Sequence, residues 1–327
     1  MNSLVVEITN YCNFSCKHCS RDKIASRVHM PLEMFKNIIE QAVSLGIHDI
    51  CITGGEPLTY PWLDTAIDIA TSNNIEISIV TNGFLFKEKL LSIIRKHRNL
   101  DICFSLDGAN EKQHDFFRNK TGSFKAVIEA IKLCNKCGVN VSVKMSIWSG
   151  VKDSLFEMAT FALSQVNNAS FIVLTPTPNL VKHDLIPSPE EYERVINIIK
   201  REIIPVFNNI DIEGVCDRMS PVPLCNPFYS GVNIDYKGDI VFCCNLSNVS
   251  ADNKDKSFYI GNIKEMDLDN AFVKHIKLCS SFIKKMAKKP FSLWERSCFF
   301  CMFGFGLMEW LKSYDSPWRN LLWKNLI

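Results

Sequence analysis

Apolar and polar residues alternate in two rhythms along the first part of the chain. Short runs rich in β-branched residues have the character of strands, and the stretches between them repeat apolar positions at helical spacing. The predicted strands lie at 4–8, 49–53, 76–80, 100–104, 140–147 and 171–174, and the predicted helices at 31–45, 61–71, 87–96, 123–137, 155–163 and 189–200. Strands and helices that alternate in this way predict an α/β fold built from parallel βαβ units.

The pattern changes after about residue 205. Short strands, turns and prolines replace the strand–helix alternation, and a hairpin is predicted over 231–243 with its turn at Lys237-Gly238. A helix over about 270–289 and an aromatic-rich tail follow. We therefore expect two domains, residues 1–205 and a smaller α+β module over 206–327.

Composition excludes several classes of protein. The chain has 327 residues, of which 47% are hydrophobic and 22% charged, so a large packed core is expected. A formal net charge of +2 gives no reason to expect a nucleic-acid partner. No secretory signal precedes the first strand, and the longest apolar run, 299–308, is too short to cross a bilayer. We expect a cytoplasmic protein with no membrane partner, whose fourteen cysteines are metal ligands or buried thiols.

Four polar motifs each follow directly after a predicted strand. They are the cysteine-containing run after the first strand, Gly-Gly-Glu-Pro at 54–57, Thr-Asn-Gly at 81–83 and Ser-Leu-Asp-Gly at 105–108. The carboxyl ends of parallel strands meet at one edge of a sheet or barrel, where active sites gather. The four motifs therefore predict a site at that edge.

The cysteine-containing run carries Cys12, Cys16 and Cys19. Three thiolates on one short loop are typical ligands of an iron–sulfur cluster. A cubane has four irons, so three ligands leave one iron open, as in catalytic rather than closed structural metal sites. A zinc site is the alternative for these three cysteines. The open iron favours chemistry over storage.

The cysteine loop followed by Gly-Gly-Glu-Pro resembles the radical S-adenosylmethionine (radical SAM) enzymes, over about the first two hundred residues. The resemblance implies a partial (β/α)6 TIM-like barrel and a [4Fe-4S] cluster whose open iron chelates the amino and carboxylate groups of SAM. One electron, from a donor such as flavodoxin or ferredoxin, then cleaves SAM to methionine and a 5′-deoxyadenosyl radical. The cofactor supplies this chemistry, and the protein orients it and excludes water.

The same resemblance assigns residues to SAM. His18 would pack on adenine, and Gly54, Gly55 and Glu56 would meet the amino group. Contacts to the ribose or carboxylate are expected from Asn82, Ser105 and Asp107, and Arg118 resembles an arginine that clamps the carboxylate. Asn119 stands where related enzymes have a glycine after that arginine. Lys144, in the fifth predicted strand, points either into the site or toward the outer helices.

A second group of cysteines is formed by Cys225, Cys243, Cys298 and Cys301. Four thiolates close a cluster without leaving an iron open. The pattern is similar to the twitch module, the short form of the SPASM extension, which carries one auxiliary [4Fe-4S] cluster; a zinc ribbon is the alternative. Cys244 is a buried thiol or, by resemblance to twitch-bearing peptide epimerases, a hydrogen-atom donor.

Three functions compete. The first is a radical SAM enzyme that modifies a ribosomally made peptide by epimerisation or cross-linking. The second is a twitch dehydrogenase acting on a small polyol or aminocyclitol, with Glu213 or Asp217 as the base. The third is a non-catalytic iron–sulfur protein that passes electrons, which has no need of an open iron.

Overall fold

The computed structural model describes residues 3–19, 26–85, 93–97, 100–215, 231–247, 257–286 and 297–324. Asp217 and Cys225, together with most of the predicted helix at 87–96, lie outside the described residues. The strands are β1 Ser3–Glu7, β2 Asp49–Thr53, β3 Glu76–Thr81, β4 Leu100–Ser105, β5 Asn140–Ile147, β6 Asn168–Val173, β7 Ile210–Glu213, β8 Asn233–Ile234, β9 Asp239–Val241 and β10 Tyr259–Asn262. The helices are α1 Leu32–Ser44, α2 Leu63–Ser72, α3 Glu111–Arg118, α4 Ser123–Lys136, α5 Leu155–Gln165, α6 Pro178–Lys182, α7 Pro189–Ile198, α8 Leu268–Met286, α9 Ser297–Gly304 and α10 Pro317–Lys324.

All of these strands belong to one sheet, in the order β10-β9-β8-β1-β2-β3-β4-β5-β6-β7. Strands β1 to β7 are parallel neighbours in chain order. Strand β8 runs parallel to β1 on its other side, and β9 and β10 continue antiparallel. Strand β1 pairs with β8 instead of closing onto β7, so the sheet is open, as in a partial barrel. The predicted α/β class is confirmed.

Strand β7 is a seventh parallel strand that the sequence reading left out. It pairs with β6 and lies beyond the predicted boundary at residue 205. The hairpin of β8 and β9 is confirmed, but it extends the same sheet from the opposite side. The division into domains 1–205 and 206–327 stays a prediction.

The two faces of the parallel sheet differ. On the outer face the side chains are apolar and buried under the helices; α1, for example, buries Phe35, Ile38 and Ile39. On the other face, most of the alternate positions carry small or polar side chains, and these are mostly half-buried: Cys51, Ser78, Cys103, Ser142, Lys144, Ser170 and Glu213. Parallel strands covered on both faces are continuously apolar. The polar alternation therefore indicates that the inner face of the sheet is not covered by a second layer of apolar packing.

The C-terminal part is built around aromatic rings. Phe282 stacks on Phe305 with ring centroids 4.7 Å apart, and Phe242 contacts Phe305 at 5.3 Å. Phe242 also stacks on the buried His275 of α8. Aromatic side chains supply large apolar areas, so this cluster supports the short strands β8–β10 and helix α8.

Candidate active site

The cysteine loop begins where β1 ends, and backbone contacts close it at its base. Thr9 bridges to His29, and Met30 N donates to Ile8 O over 2.8 Å. The Asn10 side chain accepts from Val28 N over 2.8 Å and so fastens both ends of the loop. The three cysteines therefore lie on a loop whose two ends are adjacent, at the carboxyl edge of the sheet.

The glycines after β2 fit against this loop. Gly55 N donates to Thr9 O over 2.7 Å, and Glu56 N donates to Tyr11 O over 2.8 Å. A Cβ on Gly55 would lie 2.1 Å from Tyr11 O, and one on Gly54, whose φ is +137°, 2.4 Å from Thr9 O. The close approach that these glycines permit is therefore to the backbone of the cysteine loop. The predicted contact of Gly54 and Gly55 with SAM stays a prediction.

Glu56 is almost fully buried, and its carboxylate joins the ends of β2 and β3. It accepts hydrogen bonds from Leu58 N at 3.0 Å, Thr81 Oγ1 at 2.6 Å and Asn82 N at 2.8 Å. Burial raises the pKa of Glu56 in spite of these donors. Asn82 in turn donates to Asn13 Oδ1 and accepts from Phe84 N, both at 2.9 Å. Both predicted residues line the cavity, where they also organise its wall.

Helix α3 was not predicted, although its sequence carries a helix-start pattern. Asn110 caps it by accepting from Gln113 N over 3.0 Å, the arrangement typical of a helix N-terminus. The helix ends at Asn119, which has a left-handed φ of +53°. Asparagine tolerates this conformation better than most residues, so it replaces the glycine that related enzymes have. The Asn119 side chain also donates to Ser15 Oγ over 3.2 Å, a contact that glycine lacks.

Asp107 and Arg118 form a buried ion pair beside Cys16. Arg118 Nε lies 2.6 Å from Asp107 Oδ2, and the two side chains are 10% and 0% exposed. Asp107 is buried behind Arg118 and does not contribute to the cavity wall, so the expected direct contact to SAM is not supported for it. Burial acts to raise the pKa of Asp107, but Arg118, His18, His114 and the hydrogen bond from Ser146 N together outweigh it, and the pKa is lowered.

Three stacked rings support the loop from below. His18 stacks on Phe117 at 4.6 Å, and Phe117 stacks on Trp148 at 4.6 Å. One face of His18 is therefore covered by protein, which leaves the other face for the predicted contact with adenine. Burial, together with the neighbouring Arg118, lowers the pKa of His18 to about 4. The ring is therefore neutral at pH 7, and its open face can stack on a nucleobase.

These elements enclose a cavity of about 890 Å³ at the carboxyl edge of the sheet. Its walls carry the three cysteines together with the predicted SAM contacts His18, Gly54, Gly55, Glu56, Asn82, Ser105 and Arg118. Residues of α6 and the turn after it, Asn179, His183 and Leu185, add a wall that the sequence reading missed. The Thr177-Pro178 start of that helix was a usable sequence pattern.

The residues present fit an iron–sulfur cluster. Within the described ranges, no three His, Cys, Asp or Glu side chains lie close enough together to hold a single metal ion. A four-iron cluster is larger than a single ion, so its thiolates must surround a space, and Cys12, Cys16 and Cys19 line one cavity. Two buried polar atoms of the loop, Asn13 Nδ2 and His18 Nδ1, have no hydrogen-bond partner in the described part of the chain. A bound group would satisfy them.

Burial is the main influence on the pKa values of Cys12 and Cys16, which are both half-buried. It raises the pKa of Cys12 to about 12, against a hydrogen bond from Phe14 N. It also raises the pKa of Cys16, against the lowering effect of Arg118. Thiols in such an environment ionise when they bind metal, because the metal replaces the lost hydration.

The second cysteine group is only partly described. Cys298 and Cys301 lie one helical turn apart on α9. Cys243 lies two residues after the end of β9 and directly before a short helical turn that begins at Cys244. Cys244 is exposed, which corrects the interpretation of it as a buried thiol.

Lys144 points into the inner face of the sheet, which resolves the choice left open by its sequence. Its Nζ lies 2.9 Å from Glu213 Oε2 on β7. Both side chains are about two-fifths exposed, at 38% and 42%. Their charge pair faces the interior of the sheet, on the side of Cys103 and Ser142.

Residues 6–163 match the sequence profile of the Radical SAM superfamily. The chain therefore contains a radical SAM domain, the domain that defines this superfamily of enzymes, and the superfamily implies SAM and one [4Fe-4S] cluster. The predicted enzyme class is confirmed at this level.

The relatives of the chain include the following two proteins. One is the antilisterial bacteriocin subtilosin biosynthesis protein AlbA of Bacillus subtilis, 28% identical over 155 residues, which are 47% of this chain and 35% of AlbA. The other is the AdoMet-dependent heme synthase of Methanosarcina barkeri, 28% identical over 198 residues, 58% of this chain and 55% of that protein. The matched parts thus span between a third and somewhat over half of these relatives.

Among solved structures, the chain resembles Streptococcus suis SuiB bound to its precursor peptide SuiA. The TM-score is 0.65 at 17% identity, covering 92% of this chain and 66% of SuiB. At this identity the similarity concerns the fold, which extends over nearly the whole chain. No described helix has the length and apolar character needed to span a bilayer.

Proposed function

We propose that the chain is a radical SAM enzyme that abstracts a hydrogen atom from a ribosomally made peptide and so epimerises or cross-links it. When bound, the cluster and SAM supply an electron and a 5′-deoxyadenosyl radical. The observation that carries the proposal is the cavity of about 890 Å³, which brings the three cysteines together with all of the predicted cofactor residues except Asp107.

In this proposal the chain's own residues bind and orient the cofactors. Cys12, Cys16 and Cys19 hold the cluster, and the Glu56 carboxylate has a lone pair beyond its three protein donors for the ammonium of SAM. Asn82 and Ser105 contact the ribose or carboxylate, and the open face of His18 contacts adenine. Asp107 acts through Arg118.

The second cysteine group is assigned to an auxiliary [4Fe-4S] cluster of a twitch module. Cys243, Cys298 and Cys301, with Cys225 as the fourth ligand, would close it. The i, i+3 spacing on α9 supports this, because it directs Cys298 and Cys301 to one side of the helix. Cys244 is proposed as the hydrogen-atom donor to a substrate radical, a role that its exposure allows.

A peptide substrate is supported by the kinds of relatives and by the inner face of the sheet. AlbA is named for bacteriocin biosynthesis, and SuiB was solved with a precursor peptide. The inner face offers hydroxyls, thiols and one ion pair between Lys144 and Glu213. Such a surface suits the alternating donors and acceptors of a peptide backbone.

The second candidate is a dehydrogenase acting on a small polyol or aminocyclitol. The accessible carboxylate of Glu213 on the inner face favours it, because a base is needed for the hydroxyl proton. The name of the heme synthase among the relatives mentions no peptide substrate. Electron transfer without catalysis ranks last, because it leaves the cavity beside the cluster unused.

The core of the proposal is tested by anoxic reconstitution with iron and sulfide. We expect about eight irons per chain for two clusters, and 5′-deoxyadenosine after reduction in the presence of SAM. Zinc alone in the loaded protein, or intact SAM after reduction, would overturn it.

The substrate class is tested by the rate of 5′-deoxyadenosine formation. A set of extended synthetic peptides should stimulate the rate, whereas a panel of polyols and aminocyclitols should not. The opposite result supports the dehydrogenase. Cys244→Ala offers a second test: it should abolish net epimerisation, whereas a dehydrogenase would remain active.

A further inference from the structure

The position of Arg118 is fixed more closely than binding of SAM requires. Its guanidinium donates through Nη1 to Cys16 Sγ, at 3.9 Å, while Nε pairs with Asp107. Arg118 is only 9% exposed. A full positive charge is therefore buried beside one particular cysteine of the three.

Asp107 is itself held from three sides. Its Oδ1 accepts from Ser146 N over 2.7 Å, its backbone N donates to His114 Nδ1 over 3.1 Å, and its carbonyl oxygen accepts from Trp148 Nε1 over 3.0 Å. Because each partner belongs to β5, to α3 or to the residue after β5, the carboxylate has one position. Arg118 inherits that position through the ion pair.

The end of α3 also holds the loop around Cys16. Lys17 N donates to Phe117 O over 3.0 Å, and Asn119 Nδ2 donates to Ser15. The residues on both sides of Cys16 are thus bonded to the helix that carries Arg118. The distance between the guanidinium and the thiol is set by the backbone, not by a flexible side chain alone.

Hydrogen bonds to the sulfurs and nearby charges are among the main determinants of the potential of an iron–sulfur cluster. A cation beside a ligating thiolate stabilises the reduced state more, because that state carries one more negative charge. We propose that Arg118, positioned by Asp107, donates a hydrogen bond to the Cys16 thiolate and raises the reduction potential of the open-site cluster. This inference rests on the proposed function, since it needs the cluster to be present.

This role differs from the carboxylate clamp that the sequence resemblance suggests. Arginine has five N–H donors, and the structure uses those at Nε and Nη1 within the protein. A clamp on SAM acts only when SAM is bound, whereas an effect on the thiolate persists without it. Measurements on the SAM-free protein therefore separate the two roles.

The test is a potentiometric titration of the reconstituted full chain without SAM, followed by the electron paramagnetic resonance signal of the reduced cluster. Adding SAM at the end identifies the open-site cluster by the change of its signal. Arg118→Lys keeps a cation for Asp107, but its single ammonium is too short to serve both partners. We expect its midpoint potential to shift to a more negative value.

Asp107→Asn keeps a side-chain oxygen that can accept from Arg118 Nε but removes the negative charge, so it should shift the midpoint in the opposite direction. Lys96→Met, which removes an exposed cation paired with Asp68, should leave the potential unchanged. General damage to the fold cannot produce two shifts of opposite sign.

Unchanged potentials in both variants, or shifts of the same sign, would refute the inference. If Arg118→Lys fails to load its cluster, Asp107→Asn alone decides. The absence of a positive shift in that variant would then refute the inference. If the wild-type chain takes up no iron, the proposed function and this inference fail together. A loaded wild type with unresponsive variants refutes only the role of Arg118.

Discussion

The two cysteine-bearing regions of the molecule are supported in different ways. Around the first, the buried groups are polar or ionic, with Glu56, Asp107, His114 and Arg118 all less than one-tenth exposed. Around the second, in the described residues, the interior is dominated by the phenylalanine cluster that includes Phe305. Buried charged groups need hydrogen-bond or ion-pair partners at defined positions, whereas aromatic rings need only neighbours of complementary shape. The proposed open-site centre thus lies in surroundings that fix charges, whereas the proposed auxiliary centre lies beside a region held by apolar packing.

Loss of one ligand should separate the two regions most strongly. Cys16→Ala should lower the iron content by about four per chain and abolish formation of 5′-deoxyadenosine. Cys298→Ala should remove a similar amount of iron yet retain uncoupled cleavage of SAM. Iron analysis and chromatography of the nucleoside check both variants. Loss of cleavage in Cys298→Ala as well would show that the two centres do not act separately.

Truncation in the aromatic cluster should give the largest loss of stability. Phe305 is 3% exposed and contacts three other phenylalanines. Phe305→Ala should lower the free energy of unfolding by about 3–5 kcal/mol, the range for buried Phe→Ala. Urea denaturation measures it. Because β8 joins the C-terminal part to β1 in one sheet, a single shifted transition is expected, and two separate transitions would contradict it.

Acid should weaken the first region. Burial lowers the pKa of His114 from 6.5 to about 4. The unfolded chain therefore binds a proton that the folded one refuses, so stability is full above pH 6.5 and falls as the pH drops toward 4. The loss is about 3 kcal/mol, at 1.36 kcal/mol per pKa unit. His18 acts in the same direction.

The comparison that isolates this effect is His114→Gln against wild type, by urea denaturation at several values of pH. As the pH falls from 6.5 to 4, the free energy of unfolding should decrease more in wild type than in His114→Gln, because only wild type carries the buried histidine. Glu56 acts in the opposite direction, because its folded pKa is raised, but it is present in both proteins. Phe305→Ala serves as the matched control, and its gap from wild type should stay constant. A constant gap for His114→Gln would contradict the assignment.

The smallest effect is expected at Asn119. Asn119→Ala places a residue with a Cβ and no local polar group at φ +53°, which costs about 1–2 kcal/mol. Asn119→Gly relieves the backbone and loses only the contacts to Ser15, so it should lie closer to wild type. Thermal unfolding of both variants checks the order. Equal losses would mean that the side-chain contacts, not the torsion angle, matter at this position.

The sequence alone predicted most of the strands and the gathering of polar motifs, because each depends on residues close together in the chain. Its omissions have identifiable reasons. Strand β7 has an alternating Ile-Asp-Ile-Glu pattern, which was overlooked beside the proline-rich stretch that follows. Helix α3 has a capping asparagine but a largely polar sequence, so apolar periodicity did not reveal it.

The contacts inside the site could not have been predicted in this way. Lys144 and Glu213 are 69 residues apart, and Arg118 and Cys16 are 102 apart. No local pattern encodes such pairs, which exist only once the sheet has formed. The same holds for the burial of Asp107, since its motif resembles one that faces a ligand. The sequence predicted where polar groups lie along the carboxyl edge of the sheet, but not which of them face inward.

The left-handed residue after Arg118 has a consequence for how such chains are recognised. A sequence search that requires a glycine at this position would miss this chain. The position requires a left-handed backbone conformation, which asparagine also adopts. Allowing asparagine at that step, and looking for a hydroxyl donor or acceptor within the cysteine loop to match it, would recover chains with the same geometry.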